Sequence, residues 1–83
     1  MNYDNVNFKI LFIENYLKQS NTFLTLPKEW FYTSEPVNKN DPKCQSYRIV
    51  DMFVEYNKHI ISELKKVGIE VIKSRDGYKF VKQ

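Results

Sequence analysis

The sequence predicts an α+β domain in which helices pack on a small antiparallel sheet made of a C-terminal β-hairpin and one short strand. Two observations carry this. Ile49, Val50, Phe53, Val54, Ile60, Ile61, Leu64 and Val67 recur at helical spacing, with Asn57 as the single polar interruption. Beyond Gly68, the runs Ile69–Lys73 and Tyr78–Lys82 flank Ser74-Arg75-Asp76-Gly77, where Asp-Gly favours a tight hairpin because both residues tolerate positive φ.

Residues 1–4 read as a short polar lead. From 5 to 19, Val6, Ile10, Ile13 and Leu17 mark one helical face, and Phe12 and Tyr16 widen it. Asp4 or Asn5 can cap the start, and Ser20-Asn21 is a natural stop. Thr22-Phe-Leu-Thr-Leu26 is β-branched and apolar, a single strand whose available partners are the two terminal strands. Pro27 opens a short helix over 28–32, in which Trp30 and Phe31 are adjacent, so that at most one points fully inward; the pair reads either as core anchors, one at the core edge, or as a stacking or partner-binding platform. Residues 33–43, with two prolines, two Asn and alternating charges, form a long loop. Asp41 then caps a helix over 42–67, Pro42 suits its first position, and Lys65 and Lys66 complement the dipole of its last turn. Gly68 supplies the left-handed stop.

Eighty-three residues make one domain, and six Phe, six Tyr and one Trp supply a core without staples. Cys44 is the only cysteine, so neither an internal disulfide nor a cysteine-based zinc site is available. No signal-peptide pattern and no apolar run near the ~20 residues of a membrane span are present, and a cytoplasmic location is expected. The net charge of +3 is unevenly placed. Residues 1–41 carry four lysines against five carboxylates, whereas 42–83 carry nine bases against five. A basic C-terminal half suits a polyanionic partner, although a mixed solvated surface has the same composition.

The predicted order is helix, strand, short helix, loop, long helix, strand, turn, strand. With Ile61-x-x-Leu64-Lys65-Lys66, Ile69 to Ile72 and Arg75-x-Gly77-Tyr78-x-Phe80, it resembles winged-helix DNA-binding domains of the response-regulator type. The similarity covers about a quarter of the chain. The 33–43 loop departs from the short turn of a standard helix-turn-helix, and the 42–67 helix is long enough to break near Asn57. A second similarity, in Asp51-Met-Phe-Val-Glu-Tyr56 and the terminal hairpin, is to small winged-helix single-strand-binding proteins of staphylococcal mobile elements. The resemblance implies DNA binding, double- or single-stranded, by a transcription regulator or replication accessory. Abundant Asn, Lys, Ile and Tyr suit a low-GC bacterium, its phages or plasmids.

No catalytic constellation emerges. Cys44 and His59, the only thiol and imidazole, stand fifteen positions apart, roughly 22 Å along a continuous helix. Asp51 and Glu55 share a helix face, but so do Glu55 and His59, as solvated charged faces commonly do. Two glycines make no phosphate loop. A non-enzymatic protein without cofactor is expected.

For nucleic acid, Lys73, Arg75 and Lys79 flank the predicted wing and Lys82 follows it. Lys43, Arg48, Lys58 and Lys65 are placed on or beside the long helix, Lys58 and Lys65 on one face away from Ile60 and Ile61. Each lysine alone is ordinary solubilising charge; the four bases between 73 and 82 make the cluster. Tyr78 and Phe80 share a sheet face, as core or as a base-stacking platform. The alternative is a small protein-binding module, as inhibitor, adaptor or dimerisation unit, which an outer surface of Phe31, Tyr32, Tyr47 and Tyr56 would favour and in which the long helix could pair in a homodimer.

Overall fold

The computed structural model describes residues 4–83, and within them the chain is α+β, with helices and two small antiparallel sheets. Helix α1 spans Asp4–Lys18 and buries Val6, Ile10, Ile13 and Leu17, the predicted line. Phe12 and Tyr16 do not widen that buried face. They lie roughly a quarter to a third of a turn away and are exposed. Ser20 adopts φ 68° and ends the helix, and the Asn21 side-chain amide donates to the Tyr16 carbonyl (2.8 Å). The predicted lead has Asp4 within the helix, and its residues 1–3 lie outside the described residues.

Strand β1, Phe23–Pro27, is followed by a 3-10 turn, Lys28–Phe31, shorter than the predicted helix because Tyr32 already belongs to β2, Tyr32–Pro36. Phe31 is buried and Trp30 packs at the core edge, which is the core-anchor reading of this pair. Strand β3, Tyr47–Asp51, pairs antiparallel with β2, in register from Tyr32 opposite Asp51 to Pro36 opposite Tyr47. The predicted loop therefore starts late, and the predicted 42–67 helix is replaced by three elements: β3, α2 (Met52–Glu55) and α3 (Asn57–Lys66).

The physical reason is a different cap. The carboxylate of Asp51, not Asp41, accepts the Phe53 and Val54 amides and starts α2 (3.0 and 3.4 Å). Asp41 instead accepts the Lys43 amide (2.9 Å) in a turn within the 37–46 loop that also holds Pro42. Tyr56, with φ −120° and ψ 28°, separates α2 from α3, one residue before the predicted break. The supposed stripe splits accordingly: Val50, Phe53, Ile60 and Leu64 are buried, whereas Ile49, Val54 and Val67 face solvent.

Gly68 takes φ 77°, the left-handed stop predicted for it, and β4 (Ile69–Lys73) and β5 (Gly77–Lys82) form the predicted hairpin. Strand β1 adds to the other edge of β5, giving the order β1-β5-β4. Leu24 lies opposite Phe80 and Phe80 opposite Val71, so these residues share the inner face of the sheet, on which α1 and α3 pack. At the centre, the Phe53 ring stacks on Tyr78 (3.9 Å between centroids), and Phe31 meets both edge-on at 5.0 and 5.4 Å. Tyr78 and Phe80 are thus core residues.

The β2–β3 hairpin stands apart from that core and meets the remaining elements chiefly at the start of α2. The resulting shape is elongated. A radius of gyration of 14.3 Å exceeds the ~12 Å of a compact chain of this length.

Candidate nucleic-acid interface

Strand alternation decides where the predicted basic residues point. Lys73 pairs with Tyr78 and shares its inner-facing side, whereas Lys79 pairs with Ile72 and Thr25 on the outer face. They flank the turn from opposite faces of the sheet. The Lys73 ammonium stands 5.7 Å from the centroid of Phe53, and that of Lys79 stands 4.7 Å from Phe23. Arg75 is exposed at the tip. Ser74 closes the turn, its amide and hydroxyl both donating to the Gly77 carbonyl (2.9 and 3.0 Å).

The remaining candidates do not all join this group. Lys82 belongs to the far end of β5, roughly 17 Å from Gly77, beside Glu14, Leu17 and Lys18. Lys43 is exposed in the 37–46 loop, and Arg48 is on β3, so neither is on a helix. Arg48 is already engaged: its Nε (2.9 Å) and Nη2 both donate to Oε1 of the buried Glu35. That guanidinium, aided by Lys39 at 3.5 Å from Oε2, holds the Glu35 carboxyl below the ordinary carboxylate range. Arg48 therefore serves first to neutralise Glu35 in the hairpin.

On α3, Lys58, Ser62 and Lys65 are exposed at spacings of four and three and line one solvent face. The neighbouring Glu63 is paired with Lys66 (2.6 Å). At its C-terminal end, Lys65 borders an open groove between α3 and β4 whose apolar walls are Ile61, Ile69 and Val71. At the other end, Lys58 stands in the first turn of α3, and the contact of Lys73 with Phe53 joins the end of β4 to the start of α2.

One base beside the β4–β5 turn was not predicted. The Lys28 amide donates to the Asp76 carbonyl (3.3 Å), because the pairing of Pro27 with Gly77 carries the start of the 3-10 turn to the β4–β5 turn. The backbones of Lys28, Lys73, Arg75 and Lys79 thus lie at or beside the turn, drawn from segments more than forty residues apart in sequence.

The two chemically distinctive residues are elsewhere. His59 Nε2 donates to Asn7 Oδ1 (2.8 Å) and ties α3 to α1, a core-edge role. Cys44 is half-buried in the 37–46 loop, with its thiol donating to the Ser46 carbonyl (3.3 Å). Backbone hydrogen bonds, that of Asn38 foremost, lower its pKa. Among the described residues no group of three or more His, Cys, Asp or Glu side chains could hold a metal, and no helix is long and apolar enough to cross a membrane. Of the aromatics considered for docking, Tyr32 and Tyr47 are exposed on one face of the β2–β3 hairpin with Ile49 between them, Tyr56 is half-buried, and Phe31 is buried. No family model matches the chain, and no curated protein or solved structure shows significant similarity to it.

Proposed function

We propose that this chain is a winged-helix-like, non-enzymatic DNA-binding protein, with the β4–β5 turn as its wing and the solvent face of α3 as its groove-facing helix. The observation that carries the reading is that Lys28, Lys73, Arg75 and Lys79 all lie in or directly beside the β4–β5 turn, although Lys73 and Lys79 leave the sheet on opposite faces. The sheet order β1-β5-β4, with the hairpin directly following α3, supports it as well. Chemically, the wing bases suit phosphate oxygens and a narrow minor groove, and Lys58, Ser62 and Lys65 suit backbone contacts across a major groove. Positioning contacts predominate over base readout in this set, so binding with modest sequence preference is expected.

The test is fluorescence anisotropy with labelled double- and single-stranded oligonucleotides at two salt concentrations. Binding that weakens steeply with salt supports the reading, and the preferred strand state separates a duplex regulator from a single-strand accessory. Absence of binding to either at low salt rejects it and turns attention to a protein partner at the Tyr32, Ile49 and Tyr47 face.

A further inference from the structure

Helix α1 is apolar on two sides. Opposite its buried line it exposes Phe8 (73%), Leu11 (51%), Phe12 (46%) and Tyr16 (39%), with Asn15 among them. The exposed parts of these four side chains amount to on the order of 400 Å² of apolar surface, the size that marks an interaction site on a small protein. Phe12 continues the patch inward by packing on Trp30 (5.4 Å), whose ring lies under the Lys9 ammonium (4.1 Å).

The pattern of this face indicates what covers it. Asp4, Phe8, Leu11, Asn15 and Lys18 alternate spacings of four and three, the repeat of a helix–helix seam. Asp4, Leu11 and Lys18 follow one another at seven-residue intervals, so the two charges end the same ridge and Leu11 lies midway between them. If two copies of this helix pair antiparallel about Leu11, Asp4 of each faces Lys18 of the other, and the helix dipoles run in opposite senses. Parallel pairing sets like charges together at both ends. The apolar patch of two copies, with its polar rim, approaches the lower size of specific protein interfaces, about 1,200 Å² in total.

We propose that α1 is a homodimerisation helix that pairs antiparallel with α1 of a second copy, Leu11 meeting Leu11 at the two-fold axis. The α3 face and the β4–β5 turn lie on other elements than this seam. The proposal stands whether or not the chain binds DNA.

Analytical ultracentrifugation over micromolar concentrations is the test. The expected result is a monomer–dimer equilibrium, with Phe8→Glu and Leu11→Glu each raising the dissociation constant by on the order of a hundredfold. Both positions are exposed, and an unchanged circular dichroism spectrum verifies that the monomer fold is kept. The charge arrangement is read separately: Asp4→Lys and Lys18→Asp each weaken the dimer, and combining them restores it. In a Cys44→Ser background, Leu11→Cys forms an intermolecular disulfide under mild oxidation. A wild-type chain that is monomeric throughout, or a dimer indifferent to Phe8→Glu and Leu11→Glu, overturns the proposal. A dimer in which the double charge exchange fails to restore affinity overturns the antiparallel arrangement.

Discussion

A Cβ placed on Gly77 would stand 2.2 Å from the carbonyl oxygen of Leu26 and 2.9 Å from the Cα of Pro27. The sequence singled out this glycine for a positive φ, yet among the described glycines only Gly68 has one. Its role is to let β1 and β5 approach, which no local pattern reveals because the partner lies fifty positions earlier. Gly77→Ala should therefore destabilise the fold by more than about 1 kcal/mol, measured by urea unfolding, because backbone rather than a flexible side chain must move. Phe53 was legible as core, and its ring stacks on Tyr78 and meets Phe31 edge-on. Phe53→Ala is expected to cost about 3–5 kcal/mol in the same assay. Glu35 gives a pH signature. Its carboxyl is held low by Arg48, so the folded state favours the ionised form. That contribution is complete above the ordinary carboxylate pKa of about 4.3 and is lost as the pH falls through the lower folded value. The stability advantage of wild type over Glu35→Gln should accordingly be present at neutral pH and shrink on acidification through that range, as read from urea titrations across pH.

Among the elements, the C-terminal hairpin, its glycine stop and the buried line of α1 were legible because each is a local pattern with its own punctuation. The segment from 42 to 67 was not. Val50, Phe53, Ile60 and Leu64 keep helical spacing by coincidence across a strand, a cap and a break, and Tyr-Arg-Ile-Val suits a strand as well as a helix. What decides between them is the hydrogen bonding of Asp51 and the pairing with β2, and the second is a tertiary fact. The candidate site divides in the same way. Lys73, Arg75 and Lys79 lie within seven residues and could be found, whereas Lys28 joins them only through the β1–β5 ladder. If the proposed interface is right, the pair Arg75→Ala and Lys79→Ala should weaken DNA binding and flatten its salt slope while leaving the unfolding midpoint near wild type, since both residues are exposed. The pair Lys58→Ala and Lys65→Ala should do the same through α3. By contrast, Arg48→Ala should lower stability, because it leaves the buried Glu35 carboxylate without its principal partner.

For the whole molecule, the sheet is assembled around its last strand. β5 lies between β1 and β4, which do not pair with each other, and it also supplies Tyr78 and Phe80 to the core. A chain cut after Asp76 loses both ladders of that sheet and two of the central aromatic rings, and it should show no cooperative unfolding transition in urea. The same arrangement bears on how the protein is born. While a ribosome is still threading residues 77–82, everything upstream already exists, but β1 and β4 have nothing to hold them side by side, and α1 and α3 have no floor to rest on. Folding must wait until those six residues clear the exit tunnel and slot between strands made earlier. Arrested nascent chains of increasing length should therefore remain protease-sensitive until residue 82 has emerged, then become resistant in a single step.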